Sequence, residues 1–296
     1  MEKLESILVA VDRNPTARHA LEKAVAVADH FRVRVELFLC DAERAYALKH
    51  EYDARGSDEA RTTCLAESRR YLEELRASVD VGQLQVSIDV ACESPLYEGI
   101  VHKVLRSRPD LVIRGIGGVD ANGPDALGEA DWALVRTCPV PLMLTRGKAW
   151  TRPLNAAVAV DVACEETPEL TRAILQAAAF LQAGCGGTLD VLYGADEVAS
   201  APRTESCSAL LLRQTVEAGA RAEHIHVLAG EPGQTLPQFA ATRRYDVLVL
   251  GALTHRKALT ALVGTLTGRL LNTLDCDFLL VKPPGYVCPV ALPPDA

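Results

Sequence analysis

The chain has little positive charge to spare: 31 Lys and Arg stand against 39 Asp and Glu over 296 residues, a net charge of -8. No basic stripe with interleaved aromatics runs through it, and aromatics are only 5% of residues. Phosphate backbones require clustered Lys and Arg, so general nucleic-acid binding is excluded. The opening residues, Met1-Glu2-Lys3-Leu4-Glu5-Ser6, lack the basic segment and apolar core of a secretion signal. No apolar run approaches the length of a membrane span, so the expectation is a soluble cytoplasmic protein with no membrane span. No CxxC pair occurs among the nine cysteines. Cys40, Cys64, Cys138 and Cys276 sit in apolar segments, where free thiols pack as small hydrophobes, and a reduced set suits the cytosol. Cys92, Cys185 and Cys288 are the looser thiols, and nothing near them supports a redox role. No Ser-His-Asp order, nucleophile elbow or carboxylate pair stands out, so no residue is assigned a catalytic role.

What the chain does have is a repeat. One half runs from Ile7-Leu8-Val9-Ala10-Val11-Asp12 to Cys138-Pro139-Val140-Pro141-Leu142-Met143-Leu144. The other runs from Ala156-Ala157-Val158-Ala159-Val160-Asp161 to Cys276-Asp277-Phe278-Leu279-Leu280-Val281-Lys282. Late in each half an aspartate opens an apolar strand that closes on glycine, Asp110 to Gly115 and Asp246 to Gly251. The patterning predicts strands over 6–12, 33–40, 84–91, 111–114 and 140–145, with helices near 14–27, 57–79, 94–106 and 130–137. The second half predicts strands over 155–161, 188–193, 224–229, 246–250 and 278–282, and helices over 168–183, 202–218, 235–242 and 265–274. Such alternation implies an α/β fold with mainly parallel sheets flanked by helices on both faces. Two domains are expected, 1–148 and 149–296, joined by a short segment carrying Gly147 and Pro153, with a proline-rich tail extended over the surface. Ligands of such sheets bind outside the carboxyl ends of the strands. That edge carries Asp12, Asp161 and the loops after Gly115 and Gly251.

The two loops differ in chemistry. The second half reads Gly251-x2-Thr254-x9-Gly264-Thr265-Leu266-Thr267, and the first reads Gly115-x2-Gly118-x9-Gly128-Glu129-Ala130-Asp131. Glycines let backbone approach a phosphate, and amides at the following helix N-terminus point at the anion. This pattern resembles the universal stress protein family, whose nucleotide-binding members carry G-x2-G-x9-G-[ST] with a further hydroxyl residue two positions on. The resemblance covers essentially the whole chain and looks closest to the tandem, E-type members, on Asp131-Trp132 through Cys138-Pro139 with Trp150, and on Cys276-Asp277 through Lys282-Pro283 with Tyr286 and Pro289-Val290. It implies two adenine-nucleotide α-hydrolase-like (Rossmann-like) domains of five strands each, paired through their last strands as a pseudo-dimer, with further homodimerisation open. It also implies ATP, with Mg2+, as the ligand, Asp161 near ribose or phosphate, and backbone around Val191 against adenine.

Departures from the family pattern shape the expectation. Glu129 and Asp131 replace both hydroxyl residues in the first half, and two carboxylates repel an anion while suiting a helix N-terminus themselves. The first domain is therefore read as silent toward triphosphate. In the second half Gly251, Gly264, Thr265, Leu266 and Thr267 survive, but Thr254 replaces a glycine, and a β-branched residue resists positive φ. His255-Arg256-Lys257 follows, as a solvated basic loop or a phosphate clamp. Asp12 is read as a helix cap, and Asp161 as cap or ligand contact. Gly230-Glu231-Pro232 is read as a structural turn. His224 and His226 share a strand face at a metal-compatible spacing, yet no Cys or carboxylate partner is evident, so no metal is assigned. His19, His30, His50 and His102 look like surface or helix-face residues, and Trp132 and Trp150 like packing at the domain junction. The Ser-Gly-Gly loop of pyrophosphate-releasing ATPases on a related fold is absent after either first strand. The leading reading is a stress-response binding module for ATP or another phosphorylated ligand, held in the second domain. Alternatives are a scaffold or apolar-ligand binder acting through protein contacts, and a slow ATPase.

Overall fold

The apolar run at 6–12 alternates its faces, as a strand must. In the computed structural model of the chain it is β1 (Ser6–Val11), with Ile7, Val9 and Val11 in one core cluster and Leu8 and Ala10 in another. The structure describes residues 3–29, 31, 33–51, 54–117, 127–160, 168–195, 201–252 and 265–293, and the side chains of 50, 51, 54–57, 195, 201–206 and 265 lie outside that description. After β1 the first half continues through α1 (Thr16–Ala28), β2 (Arg34–Cys40), α2 (Ala42–Glu51), α3 (Ala54–Ala77), β3 (Val86–Ala91), α4 (Leu96–Ser107), β4 (Leu111–Gly115), α5 (Glu129–Thr137) and β5 (Leu142–Thr145). The second half is β6 (Asn155–Ala159), α6 (Pro168–Cys185), β7 (Thr188–Ala195), α7 (Ala201–Glu217), β8 (His224–Ala229), α8 (Pro232–Arg243), β9 (Val247–Gly251), α9 (Thr265–Thr273) and β10 (Asp277–Val281).

One helix is additional to those expected. α2 occupies a segment unassigned from sequence alone, and its Ala, Glu and Leu content favours helix. Asp41 caps it, Oδ1 accepting the amide of Arg44 at 3.2 Å. Every expected strand is present, and boundaries move by a few residues.

The strands form one sheet in the order β3-β2-β1-β4-β5-β10-β9-β6-β7-β8. All neighbours are parallel except β5 and β10, which pair antiparallel through Leu144 and Phe278, Met143 and Leu279, and Leu142 and Leu280. The order reads the same from either edge, as the repeat requires. Helices α1, α3, α6 and α7 cover one face and α4, α5, α8 and α9 the other, each layer with its own buried cluster.

The repeat extends to individual atoms. Asp110 Oδ2 accepts the amides of Glu5 and Ser6 at 2.8 and 2.9 Å. Asp246 accepts the amides of Thr151 and Asn155 at 3.0 and 2.8 Å. Each aspartate that opens a fourth strand thus clamps the entry to the first strand beside it. Just before each, Arg108 and Arg244 end α4 and α8 in the left-handed conformation, with φ of 48° and 54°. Past the last strands, Arg146 donates to the carbonyl of Leu271 in α9, and Lys282 to that of Val135 in α5. Each domain's terminal cation therefore meets the closing turn of the other domain's last helix, where positive charge is favoured.

The tail beyond β10 crosses to the first domain. Tyr286 Oη donates to the carbonyl of Arg136 at 2.6 Å, and His102 Nε2 lies 3.1 Å from that of Ala291. His102 is consequently buried, with Nδ1 2.6 Å from Glu93, so of its two readings the helix-face one holds. His19 is part-exposed as expected, and the side chains of His30 and His50 lie outside the described residues.

Burial pushes the Cys40 and Cys276 thiols up to about 12 and Cys138 up to about 11. Their protonated forms are retained in the fold while an unfolded chain ionises near the ordinary 9.0, so this stability is present below pH 9 and is lost as pH rises through 9 toward 12. Lys23 and Lys282 act oppositely, because burial lowers both, Lys282 to about 8. Urea denaturation in reductant is expected to show a net loss of a few kcal/mol between pH 8 and pH 10, about 1.3 from each buried thiol against about 2 regained from Lys282. A flat profile would contradict this balance of thiols and lysines. The loose thiols follow the same trend: burial raises Cys92 to about 12 and Cys185 to about 11, and it raises Cys288 as well. None is an activated nucleophile.

Candidate functional site

The carboxyl ends of β1 and β4 in the first domain, and of β6 and β9 in the second, meet the N-termini of α5 and α9. In the first domain this corner is occupied by an ion triad. Arg114, the last side chain of β4 before Gly115, is 4% exposed. Its Nη2 donates to Asp12 Oδ2 at 2.6 Å and its Nε to Asp131 Oδ1 at 2.7 Å. Burial disfavours its charge, but the two carboxylates more than offset this and hold the guanidinium firmly protonated. Asp131 Oδ2 also accepts the amide of Gly128 at 3.3 Å, tying the start of α5.

Two sequence readings change here. Asp12 is a partner of Arg114 rather than a helix cap; Asn14 holds the start of α1 instead, Oδ1 accepting the amide and hydroxyl of Thr16 at 3.0 and 2.6 Å. Asp131 does more than repel anions, since it supplies the negative charge at the helix N-terminus that a phosphate would otherwise bring. The clue was a single charged residue inside the apolar run Leu111-Val112-Ile113-Arg114, where the second half has Leu250. Gly115 also has a packing reason: a Cβ there would lie 2.6 Å from the carbonyl oxygen of Thr16.

In the second domain the described part of the corner holds Gly251, Leu266 and Thr267. Gly251 closes β9, and Leu266 packs against the core. Thr267, 3% exposed, donates its hydroxyl to the carbonyl of Gly251 at 3.0 Å. Its hydroxyl proton is therefore engaged within the fold. Thr265 begins α9, with its side chain outside the described residues. Asp161, Thr254, Gly264 and His255-Arg256-Lys257 also lie outside them. Val191 stands mid-strand in β7, fully buried and paired with Val158 on one side and Ile225 on the other. Its backbone is flanked by strands, and the strand runs on to Ala195, so the carboxyl-end backbone lies at 193–195 rather than at Val191.

The turn Gly230-Glu231-Pro232 is structural as read, with Gly230 at φ 114° and Glu231 preceding Pro232 at the start of α8. Trp150 packs at the junction, its Nε1 donating to Asp277 Oδ2 at 2.7 Å and Lys23 lying 4.3 Å from its ring centre. Trp132 lies 3.7 Å from where a Cβ on Gly268 would stand, so it too packs between the two halves.

The histidine pair does have a carboxylate partner. Asp190 on β7 sits opposite His224 on β8. Its Oδ1 lies 3.1 Å from His224 Nδ1 and its Oδ2 3.2 Å from His226 Nε2, while Tyr245 Oη donates to Oδ2 at 2.7 Å. Burial pushes the Asp190 carboxyl up, but the hydrogen bonds from Tyr245, His224 and His226 outweigh it and the net direction is down. Asp190 is 34 residues from His224 in sequence, so only the parallel pairing of β7 with β8 unites them.

The model of the Universal stress protein family matches residues 3–146 and 155–282. The chain is 25% identical over 319 aligned residues to universal stress protein E of Escherichia coli K12, covering 99% of this chain and 98% of that one. It is 24% identical over 318 residues to universal stress protein E of Photorhabdus laumondii, covering 98% of each. Among solved structures, a universal stress protein from Archaeoglobus fulgidus aligns with TM-score 0.72 at 12% identity, over 94% of this chain and 98% of that one. A Pseudomonas aeruginosa PAO1 protein described as functionally unknown aligns at 0.67 and 20%, over 95% and 94%. These last two establish the fold alone.

Proposed function

The chain belongs to the universal stress protein family, and on that premise we propose that it is an asymmetric stress-response module: the second domain holds ATP with Mg2+, or another phosphorylated ligand, and the first domain is its silent partner. The observation that carries this reading is the Asp12–Arg114–Asp131 triad. It places a protein carboxylate at the helix N-terminus where the family pattern puts phosphate, and neutralises it internally. The second domain has Leu250 in place of Arg114 and Thr267 in place of Asp131, leaving the amides at the start of α9 without that competing carboxylate. The proposed contacts are Gly251, Thr254, Gly264, Thr265, Leu266 and Thr267, with Asp161 toward the ribose or phosphate and the end of β7 beyond Val191 toward the base. Thr267 contributes by shaping the first turn through Gly251, and Thr265 is the proposed hydroxyl donor.

We assign residues 1–148 and 149–296 to the two domains, acting as a pseudo-dimer through β5 and β10. The free thiols suit the reducing cytoplasm. Among the described residues no helix is long and apolar enough to cross a membrane.

Calorimetric titration of Mg-ATP into the intact chain tests the site. One nucleotide per chain, with affinity in the micromolar range, lost in Thr265→Ala and unchanged in Glu129→Gln, is the expected result. Two nucleotides per chain would overturn the asymmetry. No binding at millimolar ATP would favour the second reading, a scaffold acting through protein contacts, for which the committed hydroxyl of Thr267 is the supporting observation.

A further inference from the structure

The strand pair at the far edge of the second domain carries chemistry that nucleotide binding does not use. Asp190, His224 and His226 bring one carboxylate oxygen and two imidazole nitrogens within 4.8 Å of one another. Tetrahedral ligands about 2.0–2.1 Å from a zinc-like ion lie about 3.3 Å apart; here Asp190 Oδ1 lies 3.1 Å from His224 Nδ1 and Asp190 Oδ2 lies 3.2 Å from His226 Nε2. The donor set is right for a borderline divalent ion. Two imidazoles with one carboxylate suit Zn2+, Co2+ or Ni2+, whereas Mg2+ and Ca2+ take oxygen ligands.

The surroundings complete the case. Tyr245 donates to Oδ2 of Asp190, the kind of outer-shell bond that orients a ligating carboxylate. Phe239 packs on the His226 ring, centroids 4.6 Å apart, and fixes its orientation. The His226 side chain is 16% exposed but that of His224 is 56% exposed, so the cluster opens to solvent on one side. Ions can enter there, and a fourth position stays open for water. The strand positions favour this geometry, because residues two apart on β8 share a face and Asp190 lies directly across from the first of them.

We propose that Asp190, His224 and His226 form a site for one divalent transition-metal ion, with Tyr245 as a positioning residue. The ion bridges β8, the edge strand of the ten-stranded sheet, to β7. It lies apart from the phosphate loop. Ala157 pairs with both Asp190 and Leu248, so Asp190 sits three residues short of the level of Gly251 and two strands across. Metal occupancy therefore reports on the stability of this edge, and the cluster is independent of whether nucleotide binds.

Titration of Co2+ into the full chain, with thiols kept reduced by a phosphine, tests the site through visible absorption. Saturation at one equivalent with ligand-field bands, and no thiolate charge-transfer band, is the expected result. His224→Ala, at a half-exposed side chain outside the core, should weaken Co2+ at least about 100-fold, and Tyr245→Phe about tenfold. Asp190→Asn should weaken it while circular dichroism stays native. Absence of saturable binding, a thiolate band marking the metal on cysteine, or His224→Ala titrating like the parent chain would each overturn the proposal.

Discussion

Arg114→Ala is expected to cost about 3–5 kcal/mol of unfolding free energy, because it strips the shared cation from two carboxylates and leaves them facing each other. Arg114 is 4% exposed, and Asp131 is only 14% exposed at its side chain, so water cannot readily replace the lost partner. The outcome should depend on what remains. A double variant, Arg114→Leu with Asp131→Thr, restores the pairing of residue types found at Leu250 and Thr267 and removes the more buried of the two stranded carboxylates, leaving the 31% exposed Asp12 to water. Replacing a buried ion network by apolar and hydroxyl groups of fitting size is close to neutral. The double variant should therefore be more stable than Arg114→Ala, with a coupling energy of about 1–3 kcal/mol in a double-mutant cycle by urea denaturation. Additive losses would mean that the triad is not a unit. Since the triad is also what silences the first domain in the proposed function, the cycle tests the structural half of that proposal without any nucleotide.

Asp277→Ala should be of similar size, about 3–5 kcal/mol, through a different network. Asp277 is 1% exposed. Its Oδ1 accepts the amide of Arg146 at 2.7 Å, and its Oδ2 accepts Trp150 Nε1 at 2.7 Å and lies 2.9 Å from Lys23 Nζ. Lys23 comes from α1 of the first half and Asp277 opens β10 of the second, so this carboxylate joins the halves. Burial already lowers the Lys23 pKa, with Asp277 the main opposing influence. Without that carboxylate the ammonium loses its compensation and the indole N–H its acceptor. The chain has two tryptophans, so the emission of Trp150 provides a local readout beside the denaturation midpoint. Asp277→Asn keeps one acceptor and should lose less than the alanine variant. An alanine variant as stable as the parent, with unchanged emission, would contradict the junction described here.

The strands were readable because each carries its own signature. A buried parallel strand is a short β-branched run between polar residues, and the period-2 split of Ile7, Val9 and Val11 from Leu8 and Ala10 follows from pleat geometry alone. The aspartates at 110 and 246 announced the repeat, but not that each clamps the start of a neighbouring strand over a hundred or ninety residues away. Arg114 and Asp190 were not singled out in the sequence, and for one reason. A lone charge in an apolar strand has meaning only through its partners, and those came from β1, α5 and β8, which no local window contains. Helix α2 was missed because its apolar signal is weak and local propensity had to decide.

The sequence by itself determined the two-fold repeat, the alternation of strand and helix, the cation-poor surface and the unequal loops, since all are properties of residue order and type. Tertiary structure alone decided which charges meet. Parallel pairing brought Asp190 beside His224, the corner of β1, β4 and α5 gathered Asp12, Arg114 and Asp131, and antiparallel pairing of β5 with β10 set Asp277 against Lys23. Buried charge is tolerated only when paired. Pairing is a relation between distant segments, so chemistry that rests on it becomes visible only once the sheet is closed.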